Sequence, residues 1–159
     1  MGEKGTKPLC IFGINPSTAT DINSDQTATK IRNFASINGY DGYYIFNLYP
    51  MRATNPKLLH RHPNKKIINK NINIIQQTML PLNHVDIWAA WGNTIKMKPY
   101  LLNSLDLIIK KLININNIKW YRCGTLTNEG HPRHPSRLAY NNKLYKFNIR
   151  HYIEKHKAT

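Results

Sequence analysis

A chain of 159 residues can bury one sizeable core without disulfides and is read as a single domain. Its 23 Lys+Arg against 8 Asp+Glu give a formal net charge of +15, which points to a polyanionic partner, most often nucleic acid. No segment approaches the ~18 apolar residues of a membrane span, and no basic start followed by an apolar run marks a leader, so a cytoplasmic protein with no membrane partner is expected.

Compositional bias inflates Lys, Asn and Ile between residues 65 and 75 and again between 108 and 119, but such bias does not deplete acids. Cys10 and Cys123 are the only cysteines, and both lie in apolar runs. They are read as buried free thiols, and two cannot supply a four-thiolate cluster.

In chain order, "PLCIFGI" (8–14) reads as a first strand that halts at Asn15-Pro16, because proline cannot continue a central strand. After the polar loop "STATDINSDQT", residues 27 to 38 place Ile31, Phe34 and Ile37 or Ala35 at helical spacing, with Gly39 as the stop. "YYIFNLYP" (43–50) is a second strand that again ends at proline, and a Lys/Asn-rich helix is predicted over 65–80. "VDIWAAWG" (85–92) is a third strand ending at Gly92. An amphipathic helix over 94–112 follows, with Leu101, Leu105, Ile108, Ile109 and Leu112 on one face. "IKWYRCGT" (118–125) is a fourth strand, and the basic tail adds a strand and a short helix.

Near-continuous apolar strands alternating with helices predict an α/β fold: a central, mostly parallel four-stranded sheet with helices on both faces. In such sheets ligands lie outside the carboxyl ends of the strands. Those ends carry "NPST", "NLYPMRATNP", "WGNT" and "LTNEGHPRHPSRL", so polar, proline-braced residues converge on one edge.

"GINPS" (13–17), the Asn within "YYIFNL", "VDIWAAWG" (85–92) and "HPSRL" (134–138) resemble, in order and approximate spacing, the motifs of the uracil-DNA glycosylase superfamily. The "NPSTA", "AAWG" and "GHPRHP" set also resembles a bacterial domain family without an assigned function, over nearly the whole chain. The glycosylase resemblance implies an enzyme that flips uracil out of DNA and hydrolyses its N-glycosidic bond with no metal or cofactor. Asn15 would hold the attacking water and His134, as a neutral imidazole, would stabilise the uracil anion. Asn47 presents one acceptor and two donors, enough for a bidentate contact to uracil N3 and O4. Cytosine reverses that pattern, and its rejection would follow from buried groups left unpaired.

The same resemblance assigns Ser136 to a phosphate and Arg137 or Leu138 to the gap left by the flipped nucleotide, with Arg133, Arg137 and Arg52 on phosphates. The sequence departs from the superfamily in two places. The stacking aromatic is absent from its usual position, leaving Phe34 or Tyr49 as substitutes. Ser17 stands where the most uracil-selective branch has the tyrosine that excludes thymine. His131 carries no implied role, and Trp88 and Trp91 read as core and pocket wall.

Two other functions fit parts of the pattern. A catalytically weak module on the same fold would use the positive charge to hold DNA or RNA. A metal-dependent nuclease would be built on His60, His62, His131 and His134, although Asp21, Asp25 and Glu129 are scattered in loops and make no carboxylate cluster. A monomer acting on single- or double-stranded DNA is the expected state.

Overall fold

A computed structural model of the chain describes residues 2–3, 5–14, 21–51, 57 and 59–159, with backbone only for 2, 3 and 21–25. The strands are β1 (Gly2–Glu3), β2 (Pro8–Gly13), β3 (Gly42–Asn47), β4 (Val85–Ala89), β5 (Ile118–Cys123) and β6 (Leu144–Lys146). The helices are α1 (Asp21–Ile37), α2 (Lys65–Met79), α3 (Pro99–Leu112) and α4 (Ile149–Lys157). All six strands form one sheet in the order β1-β3-β2-β4-β5-β6. The inner four, β3-β2-β4-β5, are parallel, and β1 and β6 close the edges antiparallel. The predicted parallel four-stranded core is therefore present, widened by two short edge strands.

Alternation along the strands divides the core between the two faces. Leu9 and Ile11 of β2 and Trp88 and Ala90 pack with Ile31, Phe34 and Ala35 of α1. Cys10, Phe12, Ile87, Ala89 and Trp91 face the other way, onto Ile68, Ile72 and Ile75 of α2, Leu101, Leu105 and Ile108 of α3, and Tyr152 and Ile153 of α4. Both cysteines are free and fully buried. Burial pushes the Cys10 thiol up to about 12 and the Cys123 thiol up to about 11, so neither supplies a thiolate nucleophile.

Two helix boundaries differ from the sequence expectation. α1 begins at Asp21, six residues before the predicted start at Thr27, because its opening turns are polar and carry no apolar period to betray them. The predicted helix over 94–112 divides into a 3-10 segment, Gly92–Met97, and α3. The residue before a proline is pushed out of the helical region, and Lys98, preceding Pro99, is extended at φ −141°, ψ 126°. α2 begins where the Asn64 side chain accepts the backbone N–H of Lys66 at 3.0 Å and of Ile67 at 3.3 Å.

Several of the few acids are spent inside the fold. Asp41 accepts the Thr6 hydroxyl and the Lys7 and Thr6 backbone N–H groups, and those bonds, the hydroxyl's foremost, hold its carboxyl below the usual range. Asp86 accepts the Tyr40 hydroxyl at 2.7 Å, Asp106 pairs with Lys110 and Lys157, and Glu129 pairs with Lys96. No helix among the described residues is long and apolar enough to cross a membrane.

Candidate active site

The carboxyl ends of β2, β3, β4 and β5 lie along one edge of the sheet, and α1 and α2 leave it on opposite faces. That reversal falls between β2 and β4, a switch point of the kind at which ligands bind in open α/β sheets.

Asn47 is the last residue of β3 and sits beside Gly13, the last residue of β2, in the parallel register. Its backbone carbonyl accepts Asn71 Nδ2 at 2.8 Å, which ties the strand end to α2. Among the described residues its carboxamide has no hydrogen-bond partner. Gly13 leaves room there: a Cβ at that position would stand 4.0 Å from Asn47 Oδ1 and 3.9 Å from the Ala90 carbonyl oxygen.

The second half of the edge is the loop after β5. Gly92 donates its N–H to the Pro132 carbonyl at 2.8 Å, joining the end of β4 to the "HPRHP" segment. Gly92 has φ +61°, a conformation glycine adopts without strain, and the site of its missing Cβ is 3.5 Å from His134 Cβ. His134 is half-buried and precedes a single 3-10 turn, Pro135–Arg137. Its Nδ1 accepts the backbone N–H of Ser136 at 3.2 Å and lies 2.8 Å from the Ser136 hydroxyl. A nitrogen that accepts a backbone N–H carries no proton, so the neutral ring bears its proton on Nε2. Burial, and then the charges of Arg137 and Lys30, hold the His134 pKa below its ordinary value. The ring is thus a neutral Nε2–H donor at pH 7.

His131, without a role in the sequence reading, is 2% exposed. Trp91 Nε1 donates to the Tyr152 hydroxyl at 2.9 Å, and that hydroxyl lies 2.7 Å from His131 Nδ1. An indole only donates, so the phenol oxygen receives it and passes its own proton toward Nδ1. Burial, and then the neighbouring His156, depress the His131 pKa to about 4. The His156 ring lies against it at 4.5 Å between centroids. A second chain supports the same loop: Thr127 Oγ1 receives the His131 N–H at 3.1 Å and donates to Asn93 Oδ1 at 2.7 Å, and Asn93 Nδ2 donates to Glu129 at 2.8 Å.

The remaining sequence-predicted residues separate into distinct groups. Asn15, Ser17 and Arg52 lie outside the described residues. Ser136 and Arg137 are exposed on the 3-10 turn.

Three assignments are corrected. Leu138 is 3% exposed and belongs to the α1-side core, so it does not fill the place of a flipped nucleotide. Phe34 is 1% exposed, with its ring 5.2 Å from that of Trp88, and Tyr49 is 0% exposed. The Tyr49 hydroxyl is 2.6 Å from His60 Nδ1 and accepts the Asn64 N–H at 3.2 Å. Both rings are core, and neither offers a face to a base. Two Arg133 donors are committed to the loop itself, Nε to the Thr125 carbonyl at 3.0 Å and Nη2 to the Leu126 carbonyl at 3.3 Å.

Lys30 and Tyr152 stand at this edge without a signal in the sequence, whereas Gly13 opens "GINPS" and Gly92 closes "AAWG". No group of three or more His, Cys, Asp or Glu among the described residues is placed to hold a metal ion.

The profile of a family described as a protein of unknown function, DUF1643, matches residues 1–136. Neither the curated proteins nor the solved structures contain a match to the chain.

Proposed function

The chain belongs to the DUF1643 family, and from its own site we propose that it is a monofunctional DNA glycosylase hydrolysing the N-glycosidic bond of uracil in DNA. The observation that carries this reading is a pairing at one sheet edge. The Asn47 carboxamide, without a hydrogen-bond partner among the described residues, stands beside Gly13, and His134, a neutral Nε2–H donor, is held against Gly92 on the adjoining strand end.

In this mechanism the base leaves the DNA stack and its Watson–Crick edge meets Asn47, whose Oδ1 accepts from N3–H while Nδ2 donates to O4. The bond from C1′ to N1 breaks and its electron pair passes to the base. Negative charge collects on O2, where the His134 Nε2–H stabilises it without transferring its proton. Water adds to C1′ and its proton leaves to solvent. Asn15 orients that water, and an amide there cannot act as the base, so slow turnover is expected. Ser136 and Arg137 meet the flanking phosphates.

The test is incubation of uracil-containing, end-labelled oligonucleotides in EDTA, followed by alkaline cleavage of abasic sites, with His134→Ala and Asn47→Ala alongside. Strand scission at uracil that both substitutions reduce by orders of magnitude supports the assignment; intact strands with every protein remove it.

A nucleic-acid-binding module on the same fold is the second reading. It draws on the charge: from Gly130 to Ile153 the chain has five Lys or Arg and no acid. Binding without excision in the same assay favours it.

A further inference from the structure

Beyond the His134 loop, the turn that follows Leu138 meets α1 around an open hollow of about 210 Å³ lined by Asn33, Ser36, Ile37 and Tyr140. Tyr140 is 44% and Ile37 63% exposed, so an aromatic plate and an aliphatic side chain face solvent beside an amide and a hydroxyl. The plate is held in place. Asn33 Nδ2 donates to the Tyr140 hydroxyl at 3.1 Å, the Phe34 ring lies 5.3 Å from it, and Lys30 Nζ stands 5.8 Å over its centroid.

Tyr140 follows His134 by six residues, and Leu138 between them packs in the same core cluster as Phe34 of α1. Lys30 and Arg137 are the two cations whose charges lower the His134 pKa, and Lys30 is also the one over Tyr140. The chain segment that supplies Tyr140 has no acid between Glu129 and Glu154, and Arg137 and Lys143 are the cations nearest Tyr140 along it.

A preset aromatic face under an ammonium group, in an acid-free basic segment, has the chemistry that takes an unpaired base. The ring stacks, the amide and hydroxyl reach the base edge, and the cation meets a phosphate. A paired base keeps its faces inside the duplex and cannot use such a plate. We propose that the Tyr140 hollow is a stacking subsite for an unpaired base next to the nucleotide presented to His134, which makes single-stranded DNA the preferred partner. The inference rests on the reading of this edge as acting on nucleic acid.

Tyr145 supplies a matched control. It is 49% exposed, and the Arg122 guanidinium lies 5.0 Å over its ring. Its neighbour Leu144 packs on the α1-side core, so alternation turns Tyr145 to the opposite face of the sheet.

The experiment is fluorescence anisotropy with a labelled, uracil-free oligothymidylate and a duplex of equal length, on the wild type and on Tyr140→Ala, Tyr140→Phe and Tyr145→Ala, each verified as folded by thermal melting. The expected result is a roughly 5- to 100-fold weaker single-strand affinity for Tyr140→Ala. Tyr140→Phe and Tyr145→Ala retain wild-type affinity, and no variant changes duplex affinity. The proposal is overturned if Tyr140→Ala binds like wild type, if Tyr145→Ala or the duplex shows the same loss, or if the wild type does not hold the uracil-free strand. Because these strands contain no uracil, excision without such binding removes the subsite alone. Tyr140-dependent binding without excision removes the glycosylase reading alone.

Discussion

The Ser136 backbone N–H points at His134 Nδ1 across 3.2 Å, and this contact fixes which nitrogen of the ring carries the proton. Burial and two nearby cations lower the pKa, so the neutral donor form persists at pH 7 and is lost only when the pH falls below the ordinary histidine value. Activity is therefore expected to be flat from pH 7 to 8 and to decline on the acid side, with an apparent pKa below 6.5. Ring-nitrogen NMR at pH 7 should find the Nε2–H tautomer of His134, in the Ser136→Ala protein as well, because that change keeps the backbone donor. A cationic ring at pH 7 contradicts this account.

Asn47→Ala separates recognition from folding. Its carboxamide has no partner among the described residues, so its removal should change stability by less than ~0.5 kcal/mol. Excision at uracil should fall ~100-fold or more, because the contacts to the base are lost. A large drop in melting temperature would instead make Asn47 a structural amide.

Gly13→Ala is expected to fold normally, since the added Cβ finds its nearest neighbours at 3.9 and 4.0 Å. It nevertheless places a methyl group beside the Asn47 carboxamide, and excision should fall roughly 10-fold or more in KM or kcat. Gly92→Ala should behave differently. At φ +61° it introduces about 1 kcal/mol of backbone strain in the residue whose Cβ would meet His134 at ordinary contact distance, so stability and activity fall together. Denaturant titration beside the excision assay distinguishes the two glycines.

Stability should decline in mild acid because of His131. In the folded state its pKa is depressed from 6.5 to about 4, so the unfolded chain binds the proton more tightly throughout that window. The stability present above pH 6.5 is lost progressively down to pH 4, by about 3 kcal/mol for this residue. His134 and His156, also lowered, act in the same direction. Guanidinium melts at pH 7 and pH 5 measure the slope, and His131→Phe should flatten it. Tyr152→Phe, which leaves Trp91 Nε1 and His131 Nδ1 unpaired, should cost about 1–3 kcal/mol at pH 7.

The parallel core was legible because β2, β3 and β4 are nearly unbroken apolar runs, each stopped by Pro or Gly, and the strand ends then located the edge. The start of α1 was not, since "DINSDQ" has helical backbone but no apolar face. Leu138 misled for the opposite reason: it follows five residues of polar, proline-rich loop, and only the packing of that loop onto α1 reveals it as core. Phe34 already lay on the apolar stripe of its helix, and its burial against Trp88 decides for packing over stacking. Tyr152 had no signal at all, because a partner for His131 from a helix 21 residues away is a tertiary fact.

The excess of basic over acidic residues sets two opposed responses to ionic strength. With 23 Lys+Arg against 8 Asp+Glu, a formal net charge of +15 makes the folded chain repel itself. Added salt screens that repulsion and should raise the melting temperature, while the same salt removes the gain from counterion release and should detach a nucleic-acid strand. The buffer in which the free protein is most robust is then the one in which it holds its partner least.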